Sequence, residues 1–116
     1  RASDALWAGL AAHCTARAPS MNAQELANTV HGFAKVGRGE PALLDAIAEE
    51  AARLGLREFT PQELANTAWA YAAADRPAPA LFGGDAFGQR CAAERGFVPK
   101  NLCQLHQWQL WQEERG

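Results

Sequence analysis

The sequence predicts an all-α protein, an α-solenoid of three two-helix repeats of about 38 residues each. Three observations predict it. Alanine fills 26 of the 116 positions and β-branched residues are few, so helix formers dominate. The hexapeptide Gln24-Glu25-Leu26-Ala27-Asn28-Thr29 returns unchanged as Gln62-Glu63-Leu64-Ala65-Asn66-Thr67, an offset of 38. The same offset pairs Phe33 with Tyr71, Ala34 with Ala72 and Arg38 with Arg76. A further step carries Leu26 and Leu64 to Leu102, and Pro61 to Pro99. Upstream, Met21, Phe59 and Phe97 are equivalent, as are Leu6, Leu44 and Phe82, so the repeat covers the chain as 1–38, 39–76 and an irregular 77–116.

Each unit reads as two helices, most clearly in the second copy. Pro41 suits a first helical position, Leu44, Ile47, Ala48 and Ala51 follow at helical spacing, and Gly55 supplies a stop after Leu54. Thr60 is an N-cap with Pro61 at N1 and Glu63 at N3, a capping box, and Phe59 at N′ can staple onto Leu64. In the first copy Asn22 takes the cap position and Met21 the staple. In the third, Pro77 and Pro79 precede the first helix, Gly83-Gly84 loosens it, and Lys100 and Asn101 replace Gln and Glu. Within the second helices Leu26, Val30 and Phe33 form one stripe, and Ala27, His31 and Ala34 the next. Leu64, Ala68, Tyr71 and Ala65, Trp69, Ala72 are their equivalents. So wide an apolar face must bury on two sides, which one hairpin cannot do and a right-handed stack of hairpins can. Apolar ends are expected to lie exposed wherever neighbouring repeats have been cut away.

Composition narrows the class of function. The chain carries a net charge of −2 with pI near 5.9, so nucleic-acid binding would have to come from local concentrations of its 11 Lys and Arg. Cys14, Cys91 and Cys103 are widely spaced and make no CxxC pair, which fits a reducing interior better than a disulfide scaffold. No apolar run reaches the length of a membrane span. The opening Arg1-Ala2-Ser3-Asp4 has neither an initiator Met nor a signal-like core, as expected of a processed protein or a piece of a longer one.

The repeat length, with the stretch Phe59-Thr60-Pro61-Gln62-Glu63-Leu64-Ala65-Asn66-Thr67-Ala68-Trp69-Ala70-Tyr71-Ala72, resembles the octotricopeptide repeat (OPR) of algal and alveolate organelle proteins. Leu102-Cys103-Gln104-Leu105-His106-Gln107-Trp108-Gln109-Leu110-Trp111 resembles the segment leading into a RAP domain, a domain absent here. The resemblance implies a helical-repeat module that binds RNA in a mitochondrion or chloroplast. It would act in RNA maturation, stability or translation, or as a component of an organellar ribosome.

Candidate binding residues follow from the repeat. Arg17, Arg53, Arg57, Arg90 and Arg95 fall near the turn within each unit, and Lys35, Arg38 and Arg76 near the turn between units. Stacking would align these cations along an edge where single-stranded RNA or rRNA phosphates could run. The same placement also suits the helix macrodipole, and Glu58, Asp75 and Glu94 stand close enough in sequence to neutralise the stripe. Asn28 and Asn66, with Thr29 and Thr67, are identical between units, which fits a repeated inter-helix hydrogen bond better than base discrimination. Residues that differ between copies, such as His13, Glu50, Arg53 and Arg90, are the better specificity candidates. Trp108 and Trp111 read as packing residues or, less simply, as a stacking platform.

No enzyme is expected. Cys103 and His106 lack a second ligand pair for zinc, the glycine turns lack a GK[ST] ending, and no Ser-His-Asp or Cys-His arrangement stands out. Neither metal nor cofactor is implied. The alternative function is a protein-binding scaffold inside a large ribonucleoprotein, touching protein subunits.

Overall fold

A computed structural model describes residues 2–115, and among them there are helices and turns but no strand. The Asn22 side chain accepts from the Glu25 N–H at 2.8 Å and the Glu25 carboxylate accepts from the Asn22 N–H at 2.9 Å. This reciprocal box opens helix α2. With Pro at its first position, Thr60 repeats the box with Glu63 at 3.2 and 2.9 Å and opens α4.

The helices in chain order are α1 (Ala2–Arg17), α2 (Ala23–Lys35), α3 (Pro41–Leu54), α4 (Pro61–Ala74), α5 (Pro79–Phe82), α6 (Ala86–Ala93) and α7 (Pro99–Arg115). Single 3-10 turns, Ala18–Ser20 and Leu56–Glu58, lead from α1 and α3 into the next cap. The ends of α2 and α4 also match at the 38-residue offset. Gly37 and Asp75 are left-handed, their N–H groups donate to Ala34 and Ala72, and the following Arg38 and Arg76 N–H groups donate back to Phe33 and Tyr71. Such bonds satisfy the last carbonyls of each helix. Gly55 stops α3 at φ 101°, where an L side chain is strained. The expected loosening near Gly83-Gly84 is a full break between α5 and α6. A Cβ on Gly83 would stand 2.6 Å from the Pro79 carbonyl oxygen, so this tight turn has no room for a side chain.

Packing follows the same order. α4 lies against α2 on one side and α7 on the other, and α3 lies against α1, α2 and α5. The core runs through Val30, Leu43, Leu44, Ile47, Leu64 and Tyr71, all essentially inaccessible. The Tyr71 hydroxyl donates to the Leu44 carbonyl, tying α4 to α3, and burial raises its pKa well above the ordinary phenol value. Phe82, Phe87 and Trp108 form a ring cluster with centroids 4.9 to 5.3 Å apart, reached by Tyr71 at 5.8 Å from Phe82.

Three equivalences drawn from sequence hold in register but not in environment. Leu26 and Leu64 are buried whereas Leu102 is 53% exposed, because α7 turns Asn101, Gln104 and Trp108 inward and no described helix covers its Leu102 side. Leu6 is 62% exposed although Leu44 and Phe82 are buried, since α1 presents Trp7 and Ala11 to the interior instead. Asn66 accepts the expected inter-helix bond, from Gln104 at 3.0 Å, but Asn28 is exposed and takes no part in one among the described residues. Thr67 is buried with no partner for its hydroxyl among those residues.

These contrasts set stability expectations measurable by chemical denaturation. Leu64→Ala should cost about 2 to 5 kcal/mol, while the register-equivalent Leu102→Ala should stay within about 0.5 kcal/mol. Thr67→Val should be neutral or stabilising, because it removes a buried hydroxyl that has given up water without gaining a protein partner.

Candidate nucleic-acid interface

The seven candidate arginines do not form one free stripe. Arg76 is bidentate on Asp45, Nε to Oδ1 at 3.0 Å and Nη2 to Oδ2 at 2.6 Å, so it clasps the turn after α4 to α3. Its equivalent Arg38 reaches Asp4 on α1 at 2.7 Å and lies 6.0 Å from the Trp7 ring centre. Arg90 is half-buried. It pairs with Glu94 at 2.9 Å and donates to the Leu56 and Phe59 carbonyls at 3.3 and 3.0 Å, pinning α6 to the turn before α4. Arg53 pairs with Glu50 at 2.7 Å and reaches the Pro19 carbonyl. Arg17, Arg57 and Arg95 are exposed and, among the described residues, in no ion pair. Arg57 and Arg95 are equivalent at the 38-residue offset, so the expected edge is reduced to these two and Arg17.

A different set of residues is brought together on the second helices. His31, Trp69 and Gln107 occupy one register position on α2, α4 and α7, and they touch in that order. The His31 and Trp69 ring centres are 5.3 Å apart with the planes tilted by 54°, and Trp69 Nε1 donates to Gln107 Oε1 at 2.9 Å. α4 touches both α2 and α7, and these equivalent side chains meet across those contacts. Burial, then the positive charges of Lys35 and Lys100, hold the His31 pKa below the ordinary imidazole value. Those two are the only lysines in the chain, and among the described residues neither is in an ion pair. A half-exposed indole can stack a base, and exposed cations on the neighbouring helices can hold phosphates.

Sequence reasoning places Trp69 in a packing stripe and Lys35 at an edge, and does not single out Lys100. The offset that aligns His31 with Trp69 and Gln107 is the available signal. The approach of Lys100 to His31 depends on how α7 crosses α4, which no spacing encodes.

At the other end, an open cleft of about 400 Å³ gathers His13 and Arg17 of α1 with Glu25, Asn28 and Thr29 of α2. It joins two sequence candidates to the exposed Asn28. Trp108 serves the aromatic cluster, and Trp111 Nε1 donates to Asp75 at 2.8 Å, so both tryptophans of α7 pack rather than project. No group of three or more metal-ligating side chains occurs among the described residues. Burial pushes the Cys91 thiol up to about 11, the opposite of an activated nucleophile. No described helix is long and apolar enough to cross a membrane. No protein-family model, no curated protein and no solved structure matches this chain.

The Arg90 clamp has a pH signature. The Arg90 guanidinium, and then the Gly96 N–H, hold the Glu94 carboxyl below its usual range. A carboxylate whose folded pKa is depressed stabilises the fold above its unfolded pKa and loses that contribution as pH falls through the folded value. Glu94→Gln should therefore be less stable than the wild type at neutral pH. The gap should close as acid denaturation is followed below about pH 4.3.

Proposed function

We propose that the chain is a three-repeat α-solenoid of the octotricopeptide kind that binds single-stranded RNA in an organelle, without enzymatic activity. The observation that carries this reading is the contiguous His31–Trp69–Gln107 column, with Lys35 and Lys100 exposed on α2 and α7. It offers one side chain per unit along the stacking direction, an aromatic ring for a base, and cations with no carboxylate to answer them among the described residues. The net charge of −2 gives the reading no help, so binding would have to come from the cations outside ion pairs among the described residues, Arg17, Lys35, Arg57, Arg95 and Lys100. Contact of α2 with α4 and of α4 with α7, and of α1 with α3 and of α3 with α5, supports the solenoid. Mitochondrial or plastid location rests on the family resemblance.

A protein-binding scaffold is the second reading, favoured by the exposed Leu6, Leu10, Leu102 and Leu110. Salt-dependent titration of a labelled single-stranded RNA separates the two. Lys35→Gln with Lys100→Gln should reduce the slope of log affinity against log salt by roughly 0.7 for each phosphate the lysines neutralise. Trp69→Ala should cost about 1 to 3 kcal/mol of binding, and Trp69→Phe should recover most of it. Arg76→Gln should leave the slope unchanged. Absence of RNA affinity in the intact chain, or equal slopes for wild type and the lysine variant, would sink the RNA reading.

A further inference from the structure

Each end of the helix stack is bare at positions that the other units cover. On α7, Leu102, Cys103, His106 and Leu110 are exposed, although their equivalents Leu26, Ala27, Val30 and Ala34 on α2 are buried, as are Leu64, Ala65 and Ala68 on α4. On α2, Asn28 and Gly32 are exposed, yet the equivalent Asn66 and Ala70 of α4, and Gln104 and Trp108 of α7, are buried. On α1, Leu6 and Leu10 are 62% and 42% exposed while the matching Leu44 and Ala48 of α3 are buried. One end thus shows the surface that α2 and α4 present to the unit after them. The other shows the surface that α4 and α7 present to the unit before them.

The geometry points to head-to-tail self-association, in which the α1–α2 face of a second copy of this chain docks on the open face of α7. The occupant is identified by the packing already inside the chain: α2 is met by α3 and α4 of the following segment, and α4 is met by α7. Continued in the same register, α2 of the second copy takes the place of the next second helix, with His31 beside Gln107 and Asn28 beside Gln104. The facing surfaces differ, so the contact is heterologous and does not close on itself; growth is open-ended. The inference rests on the stacked-repeat reading proposed above and is independent of RNA binding.

Sedimentation velocity over a concentration series tests it with the whole chain. The wild type should shift from the 12.5 kDa monomer to dimer and then to larger species as concentration rises. A tail variant, Leu102→Lys with Leu110→Lys, and a head variant, Leu6→Glu with Leu10→Glu, should each remain monomeric. Mixed together they should give a species of twice the monomer mass and nothing larger, since each supplies one intact face. Circular dichroism of wild-type strength establishes that the variants fold, and Leu102→Gln with Leu110→Gln replaces the lysines should they not. A wild type that stays monomeric to millimolar concentration overturns the proposal. So does a head or tail variant that still dimerises alone, which would mean a symmetric contact, and so does a mixture that stays monomeric.

Discussion

From Leu64 to Tyr71, every residue of α4 except Trp69 is buried. A helix can be enclosed so completely only if its neighbours come close, and alanine allows that: Ala65, Ala68 and Ala70 let α2 and α7 approach on either side. The larger residues Leu64 and Tyr71 are left for the inner face, where Tyr71 meets the Leu44 carbonyl of α3. The rest of the structure depends on this close approach. It sets α2, α4 and α7 side by side in register, and that register brings His31, Trp69 and Gln107 together and bonds Asn66 to Gln104. A bulky residue at Ala68 or Ala70 would separate the helices and dissolve both features together.

Charge does a second, local job. Arg38, Arg76 and Arg90 all sit where a chain turn must be held against a helix, and each finds a carboxylate, a ring or free carbonyls there. A guanidinium suits this role because its planar fork can bond two acceptors at once, as Arg76 does with Asp45. The two lysines, with compact ammonium groups, stand apart from these clasps, exposed on α2 and α7. Some arginines thus fasten the fold, while Arg17, Arg57, Arg95 and both lysines are in no ion pair among the described residues.

Much of the architecture was legible because local chemistry repeats with the sequence. Asn22 with Glu25, and Thr60 with Glu63, announce two helix starts, Gly55 announces a stop, and Gly83-Gly84 announces an interruption; each is a nearest-neighbour effect. What the offset conveys is position in a unit, and it is silent on whether another unit lies alongside. Hence Leu102 and Leu6 share a register with buried leucines while standing in solvent. The candidate site was half legible for the same reason. Cations could be counted along the chain, and the Arg53–Glu50 pair is a local i,i+3 contact, but the partners Asp4 and Asp45 lie where folding brings them, as does the charge of Lys100 that acts on His31.

The break between α5 and α6 divides the stack unequally. α5 is a single turn, α6 buries only Phe87, and the tight bend at Gly83 interrupts the backbone ladder that α3 carries unbroken. Helix segments this short hold together by docking rather than by their own hydrogen bonds. Amide protons of residues 80–93 should therefore exchange with solvent through frequent local opening, while those of α2 and α4 exchange only when the whole fold comes apart. Opening of that one flap would lay bare Phe82, Phe87 and Trp108, so a store of aromatic surface lies behind two short helices.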